Sequence, residues 1–307
     1  MEKTWRDWLR YTLTTQLFLI IGLWVTASLI IDFNRLWRNR RKSDLDFSKK
    51  WMKITAICLS FAVTLHFVDG VMEEIYVDLY NPDVCGVSKY IKAITGSFGF
   101  MFSYLVFWLR QRSLYCEPAM KHLTSALFRA SSVVAFALII TYPVVSIGIY
   151  GATLTFAVVE SGCAIVSSTI DPRIIWIYTA VSSFMMQIIL LGLFLLPLYK
   201  HKAVMSGSGR DCNHLKPIIH RSLKTAIVCA LSDTGTATLA AANVLNDGFT
   251  IGISMQISML INLMAVVFSF SNWKRIIFWT PFRTAPVNTQ RDSEIECSIV
   301  QSKPSKR

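Results

Sequence analysis

The 307-residue chain is short of charge: 16% of it is Asp, Glu, Lys or Arg, where about 25% is usual for a soluble domain. With 53% hydrophobic residues and long uncharged runs, membrane spans are the first reading. No Asn-x-Ser/Thr glycosylation sequon occurs. No cleaved signal peptide is evident, because the first apolar run, Thr12 to Ile31, is long enough to span and ends in a stop of Arg35, Arg38, Arg40, Arg41 and Lys42. The stretch before it is short, so no ligand-binding ectodomain is expected. No internal repeat is visible, which argues against a transporter built from duplicated halves. No nucleophile elbow, phosphate loop or paired-carboxylate signature is present, so the chain is not expected to be an enzyme. Of its five histidines only His66 falls in an apolar run; His122, His201, His214 and His220 do not. A zinc site needs about three converging protein ligands, so neither metal nor cofactor is expected.

What the chain does have is seven apolar segments and an uneven charge. The spans read as 12–31, 54–72, 89–109, 131–151, 174–199, 225–245 and 250–271, each near the ~20 residues a helix needs to cross the hydrocarbon layer. Twenty-five of the 31 Lys and Arg residues lie on alternate connections: eight in 32–53, four in 110–130, six in 200–224 and seven from Lys274 onward. Loops rich in Lys and Arg stay cytoplasmic. The expected fold is therefore all-α, a seven-transmembrane helix bundle with the N-terminus outside and the C-terminus in the cytoplasm. The net charge of +12 is accounted for by orientation and by contact with anionic lipid, so no nucleic-acid partner is expected. Tryptophans mark the edges, Trp5, Trp8 and Trp176 outside and Trp37, Trp51, Trp108 and Trp273 inside; Trp24, within a span, is the exception. Residues 206–214 read as a flexible turn. The seven-helix domain ends at residue 281, its last part an amphipathic helix over 272–280 on the inner leaflet, and 282–307 reads as a disordered tail.

Two of the seven cysteines, Cys85 and Cys163, fall on the non-cytosolic side, where disulfides persist. They read as a bridge pinning the second outer loop over the third helix, the alternative being two unpaired thiols. Cys58 and Cys229 read as packing residues, and Cys116, Cys212 and Cys297 as cytosolic thiols. Polar groups at bilayer depth are costly. Asp233 in span six is the main case, with Gln187 and Asn262 at similar depth in spans five and seven. The three read either as a midplane cluster that binds a ligand, a cation or a proton, or as interhelical glue. At the outer rim Asp69, Glu73 and Glu74 end span two and Lys89 and Lys92 begin span three; an Asp69–Lys92 ion pair is expected, and an unpaired Lys92 would favour an anionic ligand. His66 lies one turn deeper and reads as either packing or ligand-binding. Asn243, Asn246 and Asp247 would complete the rim.

Seven spans, an outside N-terminus, Cys85 at the start of helix three and Cys163 in the second outer loop resemble the rhodopsin-like G-protein-coupled receptors. In that family an arginine 25 residues past the helix-three cysteine faces the G protein, and the spacing lands here on Arg110, in Trp-Leu-Arg-Gln-Arg. The family's ligand-contacting position seven past the cysteine lands on Lys92, and the basic segment after span seven looks like its eighth helix. Local motifs differ. Arg110 is flanked by Leu109 and Gln111 rather than Asp and Tyr. Span six has no Trp or Pro, and span seven has Asn262-Leu263-Met264-Ala265-Val266 with no proline and no lysine. The resemblance implies a plasma-membrane receptor whose small-molecule ligand sits in the outer half of the bundle against Lys92, Asp233, Asn262, Gln187 and His66. A heterotrimeric G protein would then be the partner of Arg110, Arg112, Lys200 and Arg221, with Lys202 and Lys224 nearby. The competing reading is a membrane channel or transporter.

Overall fold

The computed structural model describes residues 5–39, 47–77, 82–115, 126–159, 162–207, 215–243, 248–270 and 273–278. In chain order the elements are α1 (Trp5–Asn39), α2 (Phe47–Val77), α3 (Pro82–Tyr115), α4 (Ala126–Thr153), β1 (Leu154–Val159), β2 (Gly162–Ser168), α5 (Pro172–Gly207), α6 (Leu215–Asn243), α7 (Gly248–Ser269) and α8 (Trp273–Ile277). Seven of these helices contain segments long and apolar enough to cross a membrane: Thr12–Arg38, Lys50–Glu73, Cys85–Ser113, Ala126–Thr153, Pro172–Leu196, Leu223–Ala242 and Ile251–Ser269. The chain is a seven-helix bundle of the multi-pass membrane type.

The helices overrun the apolar runs that define them. The 35 residues of α1 extend ~52 Å at 1.5 Å per residue, against ~30 Å of hydrocarbon. Charged and aromatic flanks continue the helix because only the headgroup layer, not a turn, surrounds them. The segment read as a turn at 206–214 is helical as far as Gly207, and its remainder lies outside the described residues. So does the tail from 279 onward.

Ion pairs fix neighbouring helices at both ends. Lys53 of α2 meets Asp32 of α1 at 2.5 Å at the basic end of the bundle. At the opposite, N-terminal end, Lys89 and Lys92 of α3 both meet Glu73 of α2. Between these ends Thr26 of α1 contacts Ser60 and Thr64 of α2 at 2.6 and 3.1 Å, a hydroxyl ladder of the kind that binds helices where lipid offers no hydrophobic drive for association. Gly70 lets α2 approach α7: a Cβ there would stand 2.6 Å from the amide nitrogen of Gln256, whose Oε1 accepts from Thr15 of α1 at 3.2 Å. Helix α3 is the axis of the bundle, touching α2, α4, α5, α7 and β1. Its Phe100, Tyr104, Val106 and Trp108 join Leu59, Ile139, Leu190 and Leu263 in the buried core.

The connection from α4 to α5 folds as an antiparallel hairpin, with Val158 opposite Cys163 and a bulge at Thr155/Phe156. The β-branched and aromatic residues Thr155, Phe156, Val158 and Val159, with Ile165 and Val166 after Cys163, suit a pleated ribbon. The expected Cys85–Cys163 disulfide is present, with 5.5 Å between Cα atoms. Tyr90 of α3 donates to Leu154 O at 3.3 Å and packs edge-on against Tyr150 and Phe156, so the hairpin is tied to α3 at more than one point.

Helix α8 occupies 273–277 of the expected 272–280. Its Ile276 is buried, and Trp273 packs edge-on against Phe268 of α7 at 4.9 Å. Trp24, the tryptophan out of place in a span, donates its indole N–H to Ile277 O at 3.1 Å. It satisfies a helix-end carbonyl that has no partner within α8. Trp108 likewise does not present a wet indole N–H as a boundary tryptophan would: it is buried and donates to Ser132 O of α4 at 3.0 Å.

Candidate functional site: a buried carboxylate where four helices meet

Asp233 lies about halfway along the apolar segment Leu223–Ala242 of α6 and is 3% exposed. Its two oxygens face the donors of three other helices. Gln187 of α5 donates to Oδ2 at 2.8 Å, and Asn262 of α7 donates to Oδ1 at 2.6 Å. These are the two residues that depth alone singled out. Three further groups complete the cluster: Ser258 of α7 donates to Oδ1 at 2.9 Å, and Tyr104 of α3 and Ser183 of α5 stand 3.2 and 3.4 Å from Oδ2. Helix geometry brings them in, because Ser183 and Gln187, like Ser258 and Asn262, are four residues apart and share a face. That i, i+4 repeat of polar residues at middle depth in both spans is the available signal. Tyr104 carried no such signal, since an isolated tyrosine in an apolar helix reads as packing.

Counting protons sharpens the picture. Tyr104 and Ser183 have one hydroxyl hydrogen each but make three contacts, including a 2.6 Å contact with one another. Two oxygens at that distance must share a hydrogen. One hydroxyl hydrogen therefore remains for Oδ2, delivered by either group. The carboxyl group accepts four hydrogen bonds, two per oxygen, which matches its capacity of about four. All the partners are neutral, and among the described residues Asp233 has no ion-pair partner. Asn262 Oδ1 is buried without a hydrogen-bond partner among the described residues.

A narrow cleft with room for about one water molecule reaches this carboxyl group. It is lined by Phe100, Tyr142, Trp176, Thr179, Ser183 and Asp233, together with Thr236, Ala237 and Met255. Trp176 lies in the first turns of α5 and Ser183 two turns deeper, so the lining descends from the N-terminal end of the bundle toward its middle. Asp233 is the one charged residue in it. Gln187, Ser258 and Asn262 hold the carboxyl group from behind, while the longest contact, Ser183 at 3.4 Å, is on the cleft side. Pro143 follows Tyr142 inside α4 and removes the backbone bond that residue 143 would donate to Ile139 O.

The other residues singled out in the sequence do not join this cluster. Lys92 is paired with Glu73, together with Lys89, so the expected Asp69–Lys92 pair is not formed. Glu73 lies one helical turn beyond Asp69 and receives both ammonium groups, while Asp69 accepts from Ser88 at 3.2 and 3.3 Å. His66 is 3% exposed and 3.1 Å from Thr95 Oγ1. Since Thr95 donates its own hydrogen to Ile91 O at 2.8 Å, His66 Nδ1–H is the donor, and the ring packs between α2 and α3.

At the basic end, Arg110 Nη1 is buried without a hydrogen-bond partner among the described residues and feels the like charge of Arg221. Arg112 lies 5.3 Å from the centroid of the Trp108 ring, and Lys224 is exposed. The side chains of Lys200, Lys202, Glu74 and Asn243, those of Cys116, Cys212 and Cys297, and those of His122, His201, His214 and His220 lie outside the described ones, as do Asn246, Asp247, Trp5 and Trp8. Among the described residues no three His, Cys, Asp or Glu side chains come together as a metal site would require.

Compared with known proteins, the chain matches no family model and no curated sequence. The class defined by fold and site is a seven-helix membrane bundle with a polar junction at its centre and a cleft leading to it.

Proposed function

We propose that the protein is a seven-helix receptor of the plasma membrane, N-terminus outside. A small molecule binds in the outer half of the bundle, where the narrow cleft must widen to admit it, and a cytoplasmic partner, a heterotrimeric G protein, reads the change at Arg110, Arg112, Lys200 and Arg221. The observation that carries this reading is that the cleft ends on Asp233 of α6, which among the described residues is the one side chain hydrogen-bonded to α3, α5 and α7 at once. A ligand that alters those bonds acts on the mutual packing of four helices. It shifts the bundle only by as much as it binds one packing arrangement better than another. A factor of about 10⁴ in that preference is needed to invert a 1:99 population. At the far end, Arg110 Nη1, buried without a hydrogen-bond partner among the described residues, suits an acidic group on a partner.

The test is a G-protein or downstream reporter in cells expressing the full chain, across a ligand panel, with Arg110→Ala as control. Ligand-dependent signal lost in that variant while surface expression is retained supports the reading. Signal unchanged by the substitution removes the role of Arg110, and current through the purified protein in bilayers would favour the channel or transporter instead. Epitope tags at both ends in unpermeabilised cells test the orientation: only the N-terminal tag is expected to be accessible.

A further inference from the structure

The hydrogen count around Asp233 leaves one position open. Asp233 Oδ2, Tyr104 Oη and Ser183 Oγ form a triangle with sides of 2.6, 3.2 and 3.4 Å. With the carboxyl group ionised, two hydroxyl hydrogens serve these three sides. The 2.6 Å side takes one, and one of the sides to Oδ2 takes the other. The third side then sets lone pairs face to face. Both sides to Oδ2 are longer than the ~2.5–3.0 Å of a well-made O–H···O bond. The other carboxyl oxygen shows no such shortage, since Ser258 and Asn262 each bring a hydrogen to Oδ1.

The surroundings neither supply the missing hydrogen nor offset the charge. The titratable side chains beside Asp233 are Tyr104 on α3, Tyr142 on α4 and Cys229 on α6, all neutral until alkaline pH. Helices α5 and α7 present a serine and an amide each. Lys89 and Lys92 are engaged by Glu73, and among the described residues no cation pairs with Asp233. A buried carboxylate in that position is costly. The cleft leading to it has room for about one water molecule, too little for an organic ligand and enough to pass a proton.

We propose that Asp233, Tyr104 and Ser183 form a proton-binding site. On acidification Oδ2 gains an O–H bond, the hydronium that delivers the proton leaves as water, and the carboxylate becomes a neutral acid. The three oxygens then close into a ring in which each donates once and accepts once. Gln187, Ser258 and Asn262 keep their places but face a neutral acceptor, which holds donors less strongly than an anion does. Protonation thus draws Tyr104 and Ser183 onto Asp233 and relaxes the hold of the two amides. That acidity at the outer end would bias the signalling state rests on the receptor reading; the proton site itself does not.

The test uses the full chain in lipid nanodiscs, followed by infrared difference spectra as the pH is stepped through the range in which the fold stays intact. The C=O band of a protonated carboxylic acid is expected to grow as the pH falls and to be missing from Asp233→Asn. Tyr104→Phe and Ser183→Ala each remove one corner of the triangle. In either variant one hydrogen bond is made before and after protonation, so the proton completes no ring. Its affinity is expected to fall roughly two- to tenfold, the worth of one hydrogen bond, moving the midpoint of the band to lower pH. Were the hydroxyls merely solvating an anion, losing either would move the midpoint the other way. The same shift identifies the band if Asp233→Asn does not fold.

An Asp233 band that is absent or fully developed at every pH, or a midpoint that stays or rises in either variant, would overturn the proposal. A reporter that answers a ligand while no such band titrates would remove this inference and leave the receptor standing. A titrating band with a silent reporter would do the reverse.

Discussion

Replacing Asp233 by alanine and by asparagine should give different losses of stability, and the difference follows from which donors can find new partners. Alanine removes the acceptor of four hydrogen bonds. Tyr104 and Ser183 still bond to each other, and Ser258, which accepts from Ser232 at 3.2 Å, can reverse that bond and donate to the Ser232 hydroxyl. Two amides are left, Gln187 Nε2 and Asn262 Nδ2. An orphaned buried donor costs about 1–3 kcal/mol, whereas hydrogen bonds between membrane helices average about 0.6 kcal/mol. Two orphans together should then cost about 2–3 kcal/mol, roughly 30- to 150-fold in the unfolding equilibrium. Asparagine introduces one donor, which Asn262 Oδ1 can accept once the Asn262 amide turns over; that leaves Asn262 Nδ2 in the place where Oδ1 had no partner, one stranded amide instead of two, so that variant should lose about 1 kcal/mol. Reversible unfolding in mixed micelles measures both. Equal losses, or a larger loss for asparagine, would refute the claim that Asp233 acts on the fold as an acceptor for two otherwise stranded amides.

Other perturbations have equally definite outcomes. Loss of the Cys85–Cys163 bridge by paired serine substitution should cost about 2–4 kcal/mol, as for cross-links closing long loops, and should appear as a shift on a non-reducing gel and faster proteolysis of the hairpin. Glu73→Gln strands two ammonium groups, whereas Lys92→Gln leaves Glu73 with Lys89, so the first should destabilise more than the second by about 1 kcal/mol or more in the same unfolding assay. Gly70→Ala places a methyl group against the Gln256 amide and should cost about 1–3 kcal/mol, relieved when Gln256 is also made alanine. Gly148→Ala, which meets nothing within 4 Å, should be neutral or stabilising. Trp24→Phe removes the donor to Ile277 O and should raise hydrogen exchange of the α8 amides while leaving that of α2 and α3 unchanged.

Span number, order and approximate limits were legible because an apolar helix must be about as long as the membrane is thick, a constraint local to each segment. The disulfide was legible because its two cysteines share a side. Gln187 and Asn262 were legible as partners of Asp233 because depth is set by counting residues from a helix end. What depth does not give is rotation about the helix axis. Glu73 and Asp69 are one turn apart, and only packing decides which of them Lys92 meets. Tyr104 faces Asp233 rather than lipid for the same reason, and sequence treats its phenol as indifferent. The β1–β2 hairpin is written in the β-branched and aromatic Thr155, Phe156, Val158 and Val159, but a segment between two unmistakable spans reads simply as loop. Trp24 was anomalous only while α8 was missing from its surroundings.

Helix α4 is the least enclosed of the seven, with 22% of its apolar window buried against 61% for α2, and Pro143 has loosened its backbone. A bilayer thicker or thinner than its hydrophobic length is accommodated chiefly by tilt, and the helix with the fewest neighbours would tilt first. Tyr142, one wall of the cleft, rides on that helix. Sterol content and acyl-chain length would therefore alter the width of the cleft with no ligand changing hands, and the protein would respond to the composition of the membrane it sits in.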